Sequence, residues 1–217
     1  MSPRPTARSR STDHPQRAPS TGRSQSGKGA ARRAELLQVA ERLMVEEGAG
    51  ALTMRRVAEE AGIRLGNLQY YFPTKDALID ALVDELCARY VARMAAETEP
   101  NLSPEAALAA FAQFIVSDFR SREGSVIFWE LWALSAHSEG VAHAVNRLHE
   151  LERAHIAAIL EQLRPQLSSA DRRLRAVAIV ALLEGSGLFV GPGRSHAKRA
   201  GPVVTEIAEA ALAIAMR

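Results

Sequence analysis

The 217-residue chain has a single cysteine, Cys87, and aromatic residues make up only 5% of it. A lone cysteine closes no internal disulfide and supplies no Cys cluster for zinc, which fits a reducing compartment and makes Cys87 a packing residue. No run approaches the roughly 18–20 consecutive apolar residues of a membrane span. The N-terminus also lacks the apolar core of about 7–15 residues that a secretory signal needs. These absences predict a cytoplasmic protein without membrane contact. There is no phosphate-cradling glycine loop, no nucleophile–base pattern and no metal-ligand spacing, so no enzymatic role, cofactor or metal is expected. His137, His143, His149 and His155 recur every six residues, a step of about 240° around a helix, and so do not share one face. What is present, 47% hydrophobic residues, is the composition of a globular protein.

The formal net charge of +2 conceals an asymmetry. Residues 1–31 hold six basic groups and one acid, with six Ser and four Pro and almost nothing apolar. Such a segment cannot bury enough surface to offset ordering entropy, and a disordered basic leader is expected over 1–31. It is either a non-specific phosphate-binding arm or an ornament. Residues 32–77 hold seven charges of each sign, whereas 78–217 hold 14 basic and 17 acidic groups.

From Arg32 the apolar period is helical: Leu36, Ala40 and Leu43 fall on one line with Leu37 and Met44 beside it, up to Gly48-Ala49-Gly50. Thr53 stands at an N-cap position before Met54, Val57, Ala58 and Ala61, and Gly62 ends that short helix. A third segment runs from about Arg64 to Phe72, closed by Pro73, with Thr74 capping the next helix. Two short helices joined by a Gly-containing turn are the helix-turn-helix plan.

No strand pattern follows Lys75, so the fold class is all-α. Helices are expected over about Lys75–Glu97, from Ser103-Pro104-Glu105 to Ser121, and over Ser125–Ala136, which is apolar all round and so should be largely buried. Another spans Gly140–Leu163, with Val141, Val145, Leu148, Glu152, Ile156, Ile159 and Leu163 at alternating spacings of three and four. Ser168-x-x-Asp171 opens a helix to about Val190, and a last helix covers Pro202–Met216 after a Gly/Pro/basic loop.

The string Leu52-Thr53, Val57-Ala58-x-x-Ala61-Gly62, Gly66-x-Leu68, Tyr71-Phe72 and Lys75-x-x-Leu78 resembles the N-terminal DNA-binding domain of the TetR/AcrR family of bacterial transcriptional regulators. The match covers about residues 32–78. The resemblance implies nine helices in two domains, a helix-turn-helix unit over 32–77 and a ligand-binding and dimerisation unit over 78–217. It also implies a homodimer, double-stranded operator DNA as partner, and a small-molecule effector, with repression as the commoner outcome. The chain differs from many members in having Arg64 where Ser or Thr is common and Gln69 where Tyr is common.

In such a module the second short helix enters the major groove while the flanks grip phosphates. Leu68 and Phe72, four apart, should face the module's core, turning Leu65, Gly66, Asn67, Gln69, Tyr70 and Tyr71 partly outward. By the resemblance, Thr53 and Lys75 contact phosphate, Arg55 reaches a base or phosphate, and Tyr70 and Tyr71 lie at the backbone boundary. Arg64 can read guanine or bind phosphate, and Gln69 can pair with adenine. Candidates for an effector pocket are Phe111, Phe114, Phe128, Trp129 and Trp132, which can equally be core. Glu130, the lone charge among them, can meet a cationic ligand or an Arg on a neighbouring helix. The apolar excess of the helices near 171–190 and 202–216 marks them as the dimer surface.

Overall fold

The structure is a computed structural model that describes residues 22–97 and 102–217. Among the described residues there is no strand; the chain forms ten α-helical segments and two short 3-10 turns. They are α1 (Gly22–Glu47), α2 (Met54–Glu60), α3 (Leu65–Tyr71), α4 (Lys75–Glu97), α5 (Pro104–Arg120), α6 (Arg122–Ser135), α7 (Glu139–Leu163), α8 (Ser169–Gly185), α9 (Gly187–Val190) and α10 (Ala200–Met216). Nine of these are the expected helices. The tenth, α9, is one turn split from the end of α8 at Ser186, whose hydroxyl donates back to the Leu183 carbonyl at 2.6 Å and competes with the helix ladder.

Local chemistry explains most of the boundaries. Thr53 Oγ1 accepts from the Arg56 amide at 3.2 Å and Thr74 Oγ1 from the Ala77 amide at 3.1 Å, each satisfying an orphan donor at a helix start. Ser103 does the same for α5 and Ser168 for α8, where the Ser168 hydroxyl accepts from the Asp171 amide and donates to the Asp171 carboxylate. Gly62 turns the chain between α2 and α3 at φ +65°, a left-handed conformation that costs other residues about 1–2 kcal/mol. Ser121 and Ser138 are N-caps of α6 and α7 that the apolar period alone does not mark.

Two expectations are corrected. The first helix begins at Gly22, so residues 22–31 of the expected disordered leader are helical; residues 1–21 of that leader lie outside the described residues. No proline falls between Gly22 and Arg32. Once the amphipathic part of α1 has formed, each further turn needs no new nucleus. The second correction concerns α6, expected to be largely buried: only Ser125 and Leu131 are, and Trp132 is 45% exposed. One side of α6 borders a cavity.

Two apolar clusters hold the helices. The first takes Leu36, Leu43, Leu52, Val57, Leu68, Phe72, Leu78 and Leu82 from α1–α4 and the α1–α2 connection, together with Leu131 of α6 and Val141, Ala144 and Val145 of α7. The second joins Phe111, Ile115 and Phe119 of α5 to Ile156 and Leu160 of α7, Ile179 and Leu183 of α8, and Ala211 and Ala215 of α10. The helix-turn-helix unit therefore rests on α6 and the first half of α7.

Candidate functional site

In the helix-turn-helix unit, Leu68 and Phe72 are fully buried, and the register this sets turns the rest of α3 outward. Arg64, Gly66, Asn67, Gln69 and Tyr70 are exposed, Tyr70 at 83%, and Leu65 and Tyr71 are half-buried. The Tyr70 and Tyr71 rings meet edge to face at 5.2 Å. Thr53, Arg55 and Lys75 are exposed on the flanking elements. Thr53 is already committed as a cap, which leaves its hydroxyl proton for a phosphate.

The basic residues of this unit divide into two sets. Arg32 pairs with Glu35, Arg42 with Glu60, and Arg56 with Glu47 at 2.8 Å and Glu60 at 3.5 Å. Arg42 and Arg56 knit α1 to α2, and Arg32 reaches the Ala61 carbonyl at the end of α2. Arg33, Arg55, Arg64 and Lys75 make no ion pair among the described residues, and Arg33 lies over the Phe72 ring at 5.1 Å. Arg64 occupies the N-cap position of α3 and makes no side-chain cap. Gly66 has nothing within 4 Å of where a Cβ would stand, so internal packing does not require glycine there. A glycine inside a helix costs about 1 kcal/mol relative to alanine.

Below this unit lies a cavity of about 920 Å³, walled by α1, α4, α5, α6, α7 and the end of α8. Its apolar wall includes Leu86, Ile127, Phe128, Leu131, Trp132 and Leu148. At its rim, Arg89 pairs with Glu41 and Arg93 with Asp118. Cys87 borders it half-buried, and burial pushes its thiol up.

The expected pocket residues separate. Phe128 and Trp132, one helical turn apart, line the cavity, as does Phe119 of α5. Phe111 and Phe114 do not; they are buried in the second apolar cluster, where Phe111 packs on His155 at 4.8 Å. Trp129 and Glu130 also fall outside the wall, because each residue rotates by about 100° around α6. The Arg194 guanidinium lies 5.7 Å from the Trp129 ring centre. Glu130 Oε2 accepts from the Ala49 amide at 3.1 Å, in the turn between α1 and α2, instead of meeting a ligand or an arginine. α6 thus presents one face to the cavity and a carboxylate to the helix-turn-helix unit.

The sequence reading missed the polar end of the cavity. Glu152 is 1% exposed; its Oε1 accepts from the Tyr90 hydroxyl at 2.7 Å, and its Oε2 has no partner among the described residues. His149 Nε2 lies 3.0 Å from Glu184 Oε1, and ligand atoms of His149, Glu152 and Glu184 all fall within 4.8 Å of one another. Burial raises the Glu152 carboxyl to about 7, helped by the Glu184 charge and opposed by the Tyr90 hydrogen bond. Tyr90 is pushed well up by burial and by Glu152. Burial would lower His149, but its hydrogen bond to Glu184 and that group's charge leave it raised. The signal was present in the sequence: Glu152 falls in the apolar stripe of α7, where a carboxylate is costly unless it is used.

A carboxyl with a raised folded-state pKa destabilises as it ionises. The penalty is absent below its unfolded value near 4.5, grows as pH rises, and is complete above about 7. Glu152→Gln should therefore leave stability nearly unchanged at pH 5 and raise it by a few kcal/mol at pH 8. Urea unfolding at the two pH values measures this difference. Equal effects at both would contradict the raised carboxyl.

The chain matches the family model of bacterial regulatory proteins of the tetR family over residues 36–82, and that of the BetI-type transcriptional repressor C-terminal domain over residues 104–213. It is 33% identical over 150 residues to the HTH-type transcriptional regulator in the dhlA 5′ region of Xanthobacter autotrophicus, covering 67% of this chain and 72% of that one. A TetR transcription regulator from Haloarcula marismortui superposes with a TM-score of 0.70 at 21% identity, over 83% of this chain and 98% of that chain. A transcriptional regulator from Saccharomonospora viridis, solved in complex with choline, does so with a TM-score of 0.69 at 17% identity, over 84% and 94%. With a helix-turn-helix that presents α3 outward and a helical C-terminal part around a cavity, the chain belongs to the TetR family of transcriptional regulators.

Proposed function

We propose that the chain is a homodimeric repressor that binds a palindromic operator and is released from it by a small-molecule effector held in the cavity. The observation that carries this reading is the double engagement of α6. Ile127, Phe128, Leu131 and Trp132 border the cavity, while Glu130 on the same helix holds the Ala49 amide of the DNA-binding unit. An effector that favours one position of α6 changes the support of α2 and α3, and its differential affinity for the two arrangements sets the size of the response. A volume of about 920 Å³ suits a small organic ligand. The choline-bound Saccharomonospora viridis regulator supports a cavity of this kind as a ligand site.

On the DNA side, α3 enters the major groove with Arg64, Asn67 and Gln69 toward base edges and Leu65, Tyr70 and Tyr71 along the groove walls. Thr53, Arg55 and Lys75 take phosphates, and Gly66 lets the α3 backbone approach. Arg55, Arg64 and Lys75, with Arg33, are the cations of the unit without an ion pair among the described residues and supply most of the electrostatic attraction, because Arg32, Arg42 and Arg56 are paired inside the protein. Dimerisation uses α8 and α10. Leu174 and Val177 of α8 and Leu188 and Phe189 of α9 are large apolar side chains left at least 48% exposed in the single chain. Large apolar side chains left exposed on neighbouring helices favour burial against a second copy of the chain. Pairing this face places two α3 helices on successive half-sites, about 34–36 Å or a multiple apart.

Anisotropy titration against the chain's own upstream intergenic DNA and a scrambled duplex at two salt concentrations tests this reading. Wild type should prefer the upstream DNA, and equal affinity for both would sink the proposal. Arg64→Ala should weaken binding by roughly tenfold. Gly66→Ala should raise the melting temperature and still weaken DNA binding; a variant that gains stability and keeps full affinity removes Gly66 from the interface. Leu174→Asp should shift sedimentation from dimer to monomer, and a dimer that persists would place the interface elsewhere. Glu130→Ala should leave the cavity intact but alter operator affinity, since the α1–α2 turn loses its acceptor; unchanged affinity would dismiss α6 as the link.

A further inference from the structure

The cavity is charged unevenly. At its rim the arginines are balanced, Arg89 by Glu41 and Arg93 by Asp118. At its inner end two carboxylates, Glu152 and Glu184, face a single imidazole, His149, which is bonded to Glu184. Glu152 has the Tyr90 hydroxyl as its donor, shares a hydrogen bond with Glu184 while it keeps its proton, and has a buried Oε2 that no donor reaches among the described residues. Such an oxygen costs about 1–3 kcal/mol, and more when charged, unless a donor reaches it. From this end the wall becomes apolar: the Trp132 ring packs on His149 at 5.6 Å, and Phe128 lies beside it at 6.2 Å.

We propose that this inner end binds the head of an organic ammonium ion that carries at least one N–H, with Glu152 and Glu184 as acceptors and Trp132 and Phe128 against its apolar body. The inference rests on the reading of the cavity as the effector site and narrows the effector's chemistry. An N–H is required because the ionised Glu152, having lost the proton it shares with Glu184, lacks a donor at Oε2 as well as a positive charge; a quaternary ammonium supplies only the charge. A bare metal ion fits less well. The cluster offers three protein ligand atoms, and the side chains stacked beside it, Trp132 on His149 and then Phe128, contribute nothing to a coordination shell. An amine with a hydrocarbon body uses both parts, and the half-exposed Trp132 face adds a cation–π contact.

The charge state of the site follows from its neighbours. Glu152 is faced by Tyr90 from α4, by His149 from its own helix α7 and by Glu184 from α8; from α5, Asp118 acts on Tyr90. With the Glu152 carboxyl near 7, a cation binds the ionised form and displaces the proton to solvent. Affinity therefore rises from pH 6 to pH 8. His149, when protonated, opposes the cation and acts in the same direction.

The test is isothermal titration calorimetry on the full chain with four probes: hexylammonium, hexyltrimethylammonium, 1-hexanol and zinc chloride. Hexylammonium should bind about tenfold or more tightly than the alcohol and the trimethyl analogue, with affinity rising between pH 6 and pH 8. Glu152→Gln should remove that advantage and the pH dependence, and its thermal melt shows whether it is folded. Equal binding of the trimethyl analogue overturns the N–H requirement. No binding of hexylammonium overturns the site, and zinc binding abolished by His149→Ala assigns the cluster to a metal instead. Operator binding, measured on the same preparation, separates the two readings. Intact DNA recognition with no amine binding defeats only this inference, whereas amine binding without operator preference defeats the regulatory one.

Discussion

The helix-turn-helix unit does not close its own core. Leu131 of α6 and Val141, Ala144 and Val145 of α7 complete the apolar cluster that contains Leu68 and Phe72, the residues that set the face of α3. Because protein interiors are packed at crystal-like density, a shift of α6 or α7 cannot be absorbed locally and must move α1 or α4. The Glu130 bond to the Ala49 amide adds a polar tie at the same boundary. Cavity and DNA-binding surface are thus two sides of one packing unit. The proposed effector response needs no long pathway, only two arrangements of that unit.

Charge is arranged with the same economy. A neutral DNA-binding segment attracts nucleic acid weakly by bulk field, so the pairing pattern decides which cations remain for phosphate and base. Glu47 and Glu60 take Arg56, and Glu60 takes Arg42, leaving Arg55, Arg64 and Lys75 outward and Arg33 over the Phe72 ring. The acidic balance of 78–217 has a local counterpart in the Glu152–Glu184 end of the cavity. Keeping two carboxylates in a buried site lowers stability at neutral pH, a cost usually retained where a site must bind something.

The parts of this architecture set by local chemistry were readable in the sequence. Thr53, Thr74, Ser103 and Ser168 cap where their hydroxyls predict, Gly62 makes its turn, and the 3–4 period gives the helices. What escaped depends on rotation about a helix axis and on partners far along the chain. Trp129 and Trp132 are three residues apart, yet only Trp132 reaches the cavity. Glu130 finds its donor 81 residues away, and Glu152 meets Glu184 only because α7 and α8 pack side by side. The start of α1 was missed for another reason: composition describes a segment's own preference and not what an adjoining helix imposes on it.

The dependence of the DNA-binding unit on α6 is tested most directly by amide hydrogen exchange at Ala49 in wild type and in Glu130→Ala. The account predicts that the wild-type amide is protected, and that the substitution speeds its exchange and lowers protection through α2 and α3 while α8 is unaffected. Unchanged exchange at Ala49 and in α3 would contradict the coupling of the two parts through this helix.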